Sequence, residues 1–204
     1  MKTVFTFLIS MSLYLSMVTA QQSVARQWNE ALLDAIRVDV GRPIVHARNL
    51  FHVSAVMYDG WAVYDGQADL FLLGKTVGDY TCNFDGIQIP DDENARKAAQ
   101  KETISYAAYR LLKNRFSASP GAAISLPKFD SLMLALGYDT SLVSTDYSDN
   151  SPAALGNYLA LSCMEFGLTD HSDEELNYDF DDSYYQPVNP PLNPALPGNP
   201  DIID

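Results

Sequence analysis

Residues 42–65 read RPIVHARNLFHVSAVMYDGWAVYD, and the fold turns on how this run is arranged. Pro43 suits the first position of a helix, and the apolar pattern carries that helix to about Asp65. At 100° per residue, Ala47, Leu50, Phe51, Ser54, Tyr58, Trp61 and Ala62 gather on one side, while Val45, Val56 and Val63 fall on the other. A helix that is apolar on nearly all faces is expected to be central and buried. The same run carries His46, Arg48, His52 and Asp59. His46 and His52 point about 120° apart, whereas a two-histidine metal site on a helix needs i,i+4 spacing. Arg48 and His52 do have that spacing and Asp59 lies on their stripe, but Asp59 is about 10 Å further along the axis than His52. No His–Asp pair can form within the helix. The four side chains therefore read as structural polar groups of a buried helix. His52 is expected to bond a neighbouring segment. His46 and Arg48 are expected to bind backbone carbonyls or carboxylates of the preceding helix, with Glu30 and Asp34 as candidate partners.

Further helices flank this one. Residues 23–40 place Val24, Trp28, Ala31, Leu32 and Ala35 on one apolar stripe behind a Ser23 cap, with Arg26 and Glu30 paired at i,i+4 on another face. Gly41-Arg42-Pro43 ends that helix. Residues 66–90 hold five turn-forming Gly and Pro residues and only weak strand candidates, DLFLLG and YTCNF. PDDENARKAAQKETISYAAYRLLKNRF (90–116) has acids at its start and Lys113 and Arg115 at its end, as the helix dipole favours. A shorter helix is predicted over Lys128–Leu136, stopped by Gly137, and another after Ser151-Pro152, ending at Gly167. The fold class is all-α: a bundle of about four to five helices with long loops and an extended, Pro-rich C-terminal tail.

The chain has 204 residues and ordinary globular composition, 47% hydrophobic and 19% charged. Its start, MKTVFTFLISMSLYLSMVTAQQ, has a basic Lys2, a short apolar stretch and small residues at Val18 and Ala20. This is the pattern of a signal peptide over residues 1–20, and the stretch is too short and too rich in Ser and Thr for a membrane span. The expected location is secreted or periplasmic, and the division is 1–20 signal peptide, 21–186 helical domain and 187–204 tail or connector. The net charge of −13 grows one unit more negative when Lys2 is removed. Such a charge repels nucleic acid and anionic membranes, so neither is an expected partner once the signal is cleaved. Two cysteines, Cys82 and Cys163, allow one disulfide outside the cytosol, worth ~2–4 kcal/mol if unstrained. Their spacing alone does not show that they meet, and no zinc-binding spacing occurs.

TDHSDEELNYDFDDSYY (169–185) lacks the glycine and carboxylate spacing of a calcium loop and reads as a solvated acidic loop; it contains the third histidine, His171. From Pro187 onward four prolines keep a period of three, which favours an extended path serving as a linker or a strap over a domain. No nucleophile elbow, phosphate loop, HExxH or dinucleotide fingerprint occurs.

WNEALLDAIR (28–37) followed by RPIVHARNLFHVSAVMYDGWAVYD (42–65) resembles the N-terminal region of vanadium-dependent haloperoxidase-like proteins, in the type 2 phosphatidic acid phosphatase superfamily. ARKAAQKETISYAAYRLL (95–112), LGYD (136–139) and NPPL (189–192) resemble later landmarks of that region, so the likeness runs from about Arg26 onward. In the family a vanadate or phosphate oxyanion is held by later motifs: Lys-x6-Arg-Pro, Pro-Ser-Gly-His and Ser-Arg-x5-His. Fixed cations and donors around an oxyanion make chemical sense, but this sequence contains none of the three motifs. Its one Arg-Pro, Arg42-Pro43, has Ala35 where the lysine would stand, and SASPGA (117–122) is not Pro-Ser-Gly-His.

No catalytic, cofactor-binding or metal residue is therefore carried over, and vanadate is implied only for a full-length family member. The resemblance implies an exported N-terminal helical domain, inactive alone, whose partner is a C-terminal catalytic bundle. The alternative is a stand-alone secreted binding or scaffold module that uses its tyrosines (Tyr178, Tyr184, Tyr185) and prolines to dock a protein. An enzyme built from His52, Asp59 and distant acids is the least favoured reading, because no positioned partner accompanies them.

Overall fold

A computed structural model describes residues 22–178 of the protein. The expected signal peptide, the Pro-rich tail, Tyr184 and Tyr185 lie outside the described residues. Five helices follow in order: α1 (Val24–Ile36), α2 (Pro43–Ala62), α3 (Glu93–Arg115), α4 (Ala122–Leu136) and α5 (Pro152–Gly167). A two-residue hairpin, β1 (Thr76–Val77) against β2 (Tyr80–Thr81), interrupts the loop between α2 and α3. A single 3-10 turn, Glu174–Leu176, follows α5.

Local sequence chemistry sets the helix starts. Ser23, Asp92 and Ser151 each accept a hydrogen bond from the backbone N–H three residues on, from Arg26, Ala95 and Ala154, which satisfies donors that a helix start leaves open. Pro43 and Pro152 occupy first-turn positions where no N–H is needed. Gly137 closes α4 in the left-handed region at φ 82, a conformation that favours glycine. α1 buries Val24, Trp28, Leu32 and Ala35, the stripe read from its spacing. It ends at Ile36, short of the predicted Val40, because residues 37–39 form a turn. α4 begins at Ala122, six residues before the predicted Lys128, and contains Pro127. An interior proline costs about 3 kcal/mol; the burial of Phe129 and Met133 within this helix offsets it.

The centre of the bundle is α3, which packs against each of the other four helices. It buries ten residues between Ala99 and Leu112. The 42–65 helix, expected in that place, is instead a flanking helix with one solvated face. Small residues decide the arrangement. A Cβ on Gly156 of α5 would lie 2.6 Å from the Thr103 carbonyl and 2.7 Å from the Tyr106 Cβ, so α5 approaches α3 as closely as its backbone permits. On the other side, a Cβ on Gly60 of α2 would lie 3.3 Å from Ile104. Trp28 and Tyr109 pack with centroids 6.3 Å apart between α1 and α3, and Phe116 meets Phe129 at the same separation between α3 and α4. Among the described residues no helix is long and apolar enough to cross a membrane.

Candidate functional site

The helix expected to be buried on nearly all faces has one solvated face: of the residues grouped together by helical angle, Ala47, Leu50, Phe51, Ser54, Tyr58 and Trp61 are exposed and only Ala62 is buried. Leu50, Phe51, Tyr58 and Trp61 are 37–49% exposed. The buried face carries His46, Asn49, His52, Val53, Val56, Met57, Asp59, Gly60 and Ala62. The close approach at Gly60 leaves no room for an aromatic ring between α2 and α3. Of the buried polar groups of α2, His46, His52 and Asp59 have fixed partners, as the cost of several kcal/mol for an unpaired polar group removed from water favours, while Asn49 Oδ1 and His46 Nδ1 have none among the described residues.

Asp59 is fully buried and accepts three backbone N–H bonds: from Phe71 at 2.6 Å to Oδ1, and from Leu72 at 2.8 Å and Leu73 at 3.0 Å to Oδ2. The DLFLLG segment, a weak strand candidate by composition, is a turn wound around this carboxylate. Its backbone donors point at one acidic group rather than at a neighbouring strand. His46 Nε2 meets the Val40 carbonyl at 2.8 Å and so ties the start of α2 to the turn before it.

Arg48 does not bind Glu30 or Asp34. Those acids pair with Arg26, and with Arg37 and Lys128, on the outer face of α1. Arg48 instead reaches the segment after α5. Its Nε donates to Asp170 Oδ2 at 2.6 Å, Nη2 donates to the Gly167 carbonyl at 2.8 Å and to Glu174 Oε2 at 2.9 Å, and Nη1 donates to the Tyr178 hydroxyl at 3.3 Å. Arg115, at the end of α3, is nearly as enclosed as His52 and also pairs with Glu174. A Cβ on Gly167 would fall 2.6 Å from Arg48 Nη2 and 2.8 Å from Arg115 Nη2; the glycine that closes α5 makes room for both guanidinium groups.

His52 sits inside this cluster, 1% exposed. Arg115 Nη2 lies 3.1 Å from His52 Nδ1. A guanidinium only donates, so Nδ1 accepts and the ring proton resides on Nε2, which faces Asp170 Oδ2 at 3.5 Å. Burial, then the charges of Arg48 and Arg115, pull the imidazole down to about 4 against the opposing effect of Asp170. The ring is neutral and both of its nitrogens face charged partners. Asp170 is held below the usual carboxylate range by Arg48 and Ser172, against its own burial.

The acidic segment is thus only partly solvated. Asp170 and Glu174 are ligands of the bundle, while His171 projects to solvent near Asp79. The segment takes left-handed backbone at His171, Asp173, Asn177 and Tyr178, with φ between 54 and 62, at about 1 kcal/mol or more for each such residue. The ion pairs hold it in that conformation. Arg115, Asp170 and Glu174 were not legible as partners, because nothing in local spacing relates positions 63 and 122 residues from their contacts on α2.

Cys82 and Cys163 are both unbridged and buried. Cys82 Sγ lies near the Asn83 carbonyl and the Tyr158 hydroxyl, whereas Cys163 Sγ faces the His52 carbonyl at 3.9 Å. Burial pushes the Cys163 thiol up to about 12, so it holds its proton and is a poor nucleophile. A second polar knot lies across α3 and α5. Arg110 donates to Asn157 and to the Thr140 and Leu142 carbonyls, and Asn157 donates to Leu142 and Ser144. It fastens the loop between α4 and α5.

Chemically, these groups join segments of the chain to one another. Asp59 binds backbone N–H groups, Asp170 and Glu174 bind guanidinium groups, His46 binds a backbone carbonyl and His52 binds arginine. Among the described residues no group of three His, Cys, Asp or Glu side chains is placed to hold a metal ion. Comparison with protein-family models, with curated proteins and with solved structures finds no match to this chain.

Proposed function

We propose that the chain is the N-terminal helical domain of an exported vanadium haloperoxidase/acid phosphatase-like protein, a scaffold that is inactive without a C-terminal catalytic bundle. One observation supports this most directly. In the helix that carries the family resemblance, the buried acid and the buried bases are committed to architecture: Asp59 to the 71–73 turn, Arg48 to Asp170 and Glu174, His52 to Arg115. Residues so engaged position segments, which gives Arg48, His52 and Asp59 a structural role. The reading is tested by assaying the purified chain with vanadate, bromide and peroxide. The expected result is no bromination above buffer, and clear turnover overturns the proposal. Export is tested by N-terminal sequencing of secreted material, which should begin at Gln21.

A second reading, a stand-alone secreted binding or scaffold module, draws support from one hydrophobic core cluster that runs among the described residues from Val24 to Phe166. Transcript sequencing past Asp204 separates the two. A continuing frame that encodes Pro-Ser-Gly-His supports the first reading, and a stop codon followed by unrelated sequence supports the second.

A further inference from the structure

The outward face of α2 ends in a groove of about 480 Å³. Met57, Tyr58 and Trp61 of α2 form one wall, Val24 of α1 closes the end, and Lys97 and Lys101 of α3 form the rim. The Tyr58 and Trp61 rings stand 6.0 Å apart with 49° between their planes. We propose that the Pro-rich segment 187–200 of this same chain docks in this groove, as an intramolecular strap across α1, α2 and α3. The inference does not depend on the family reading.

Three observations single out this occupant. The first is recognition chemistry: Pro-rich segments are pre-extended, lose little entropy on binding and dock on exposed aromatic rings. Segment 187–200 supplies six prolines with Leu192 and Leu196 between them. The second is reach. Tyr178 is anchored at the start of α2, with the Arg42 and Arg48 guanidinium groups 5.3 and 5.7 Å from its ring centre. From Pro43 to Trp61 the helix advances about 27 Å at 1.5 Å per residue. Pro187 lies nine positions beyond Tyr178, and an extended chain of nine steps spans up to about 30 Å. The first proline therefore reaches the groove with the prolines still to follow. The third is charge. Segment 187–200 is itself uncharged but is flanked by Asp179, Asp181, Asp182, Asp201 and Asp204, with no lysine or arginine in 179–204, and the groove is rimmed by Lys101 and by Lys97, the latter paired with Glu93. A second copy is a poorer occupant, because two chains of charge −13 repel one another, whereas a tethered segment is present at millimolar effective concentration.

Trp61 reports on the groove directly. Trp28 is fully buried and Trp61 is 41% exposed, so acrylamide quenching of the intact chain measures access to Trp61, with Trp61→Phe identifying its share of the emission. Replacing Pro190, Pro191 and Leu192 together with serine alters only the tail. With the tethered segment at millimolar local concentration, this variant should raise the Trp61 quenching constant at least about twofold. Lys101→Glu, an exposed change at the rim, should raise it in the same direction. The rise should be independent of protein concentration, with the chain monomeric by sedimentation. Quenching that ignores the tail substitutions overturns the proposal. Protection that grows with protein concentration alongside self-association overturns it as well and assigns the groove to a second copy.

Discussion

Asp59→Asn is the sharpest test of the interior of this bundle, because it changes one atom and almost no volume. Oδ2 of Asp59 accepts from Leu72 and Leu73, and Oδ1 accepts from Phe71 at 2.6 Å. Asparagine keeps one acceptor oxygen and gains an NH2 group. In its better orientation the oxygen takes the two-donor position, and the NH2 then faces the Phe71 N–H, donor against donor. The variant loses one hydrogen bond to a charged acceptor, worth about 1.5–3 kcal/mol, and leaves a buried donor unpaired at about 1–3 kcal/mol. The sum is on the order of 3–5 kcal/mol, a large part of the ~5–15 kcal/mol that holds a typical domain together. For a domain of this size each kcal/mol moves Tm by about 2–4 °C, so thermal denaturation followed by circular dichroism should fall by about 6–20 °C. Hydrogen exchange should locate the loss first at the amides of residues 71–73. A Tm within 2 °C of wild type, with those amides still protected, would refute the assignment of Asp59 as the anchor of that turn.

Other expectations follow from the same contacts. Arg48→Ala removes one partner from an enclosed set of ion pairs and should cost about 3–5 kcal/mol; limited proteolysis should then cleave within residues 168–178, whose left-handed backbone loses its restraint. With His52 drawn down to about 4 from its ordinary 6.5, the unfolded chain takes up a proton in that interval that the folded chain refuses. Stability is therefore complete above pH 6.5 and declines as pH falls toward 4, by up to about 3 kcal/mol. Urea midpoints measured across pH 4–7 should show this slope, and His52→Gln should flatten it. Gly156→Ala forces a Cβ to within 2.6 Å of the Thr103 carbonyl and should destabilise by about 1–3 kcal/mol through overpacking, detectable as a lower urea midpoint. Cys163 should resist a thiol reagent in the native state and react on unfolding, and rapid native labelling would contradict its burial.

How much was legible depended on the range of the interaction involved. Caps and stops are local, so Ser23, Ser151, Pro152 and Gly137 could be placed from adjacent residues. The α1 stripe was legible because a single apolar face has one direction in which to be buried. The predicted start of α4 lies six residues late, and the helix includes Pro127; local propensity weighs against a proline inside a helix and says nothing of the burial of Phe129 and Met133. Along α2 the expectation of burial on nearly all faces was wrong, because Leu50, Phe51, Tyr58 and Trp61 form a face left to solvent. Two opposite faces both carried apolar side chains, and only contact with α3 selects between them.

The sequence by itself determined an all-α chain, the approximate helices and the fact that His46 and His52 cannot share a ligand, since those features follow from helical period and chain punctuation. The tertiary structure decided that α3, not α2, is the centre, because Gly60 and Gly156 permit close approach on its two sides. It also decided which buried charges meet. Arg48 finds Asp170 and Glu174 rather than the nearer acids of α1, and His52 finds Arg115. Pairings across more than sixty residues depend on how helix ends converge in space, and no local period encodes that convergence.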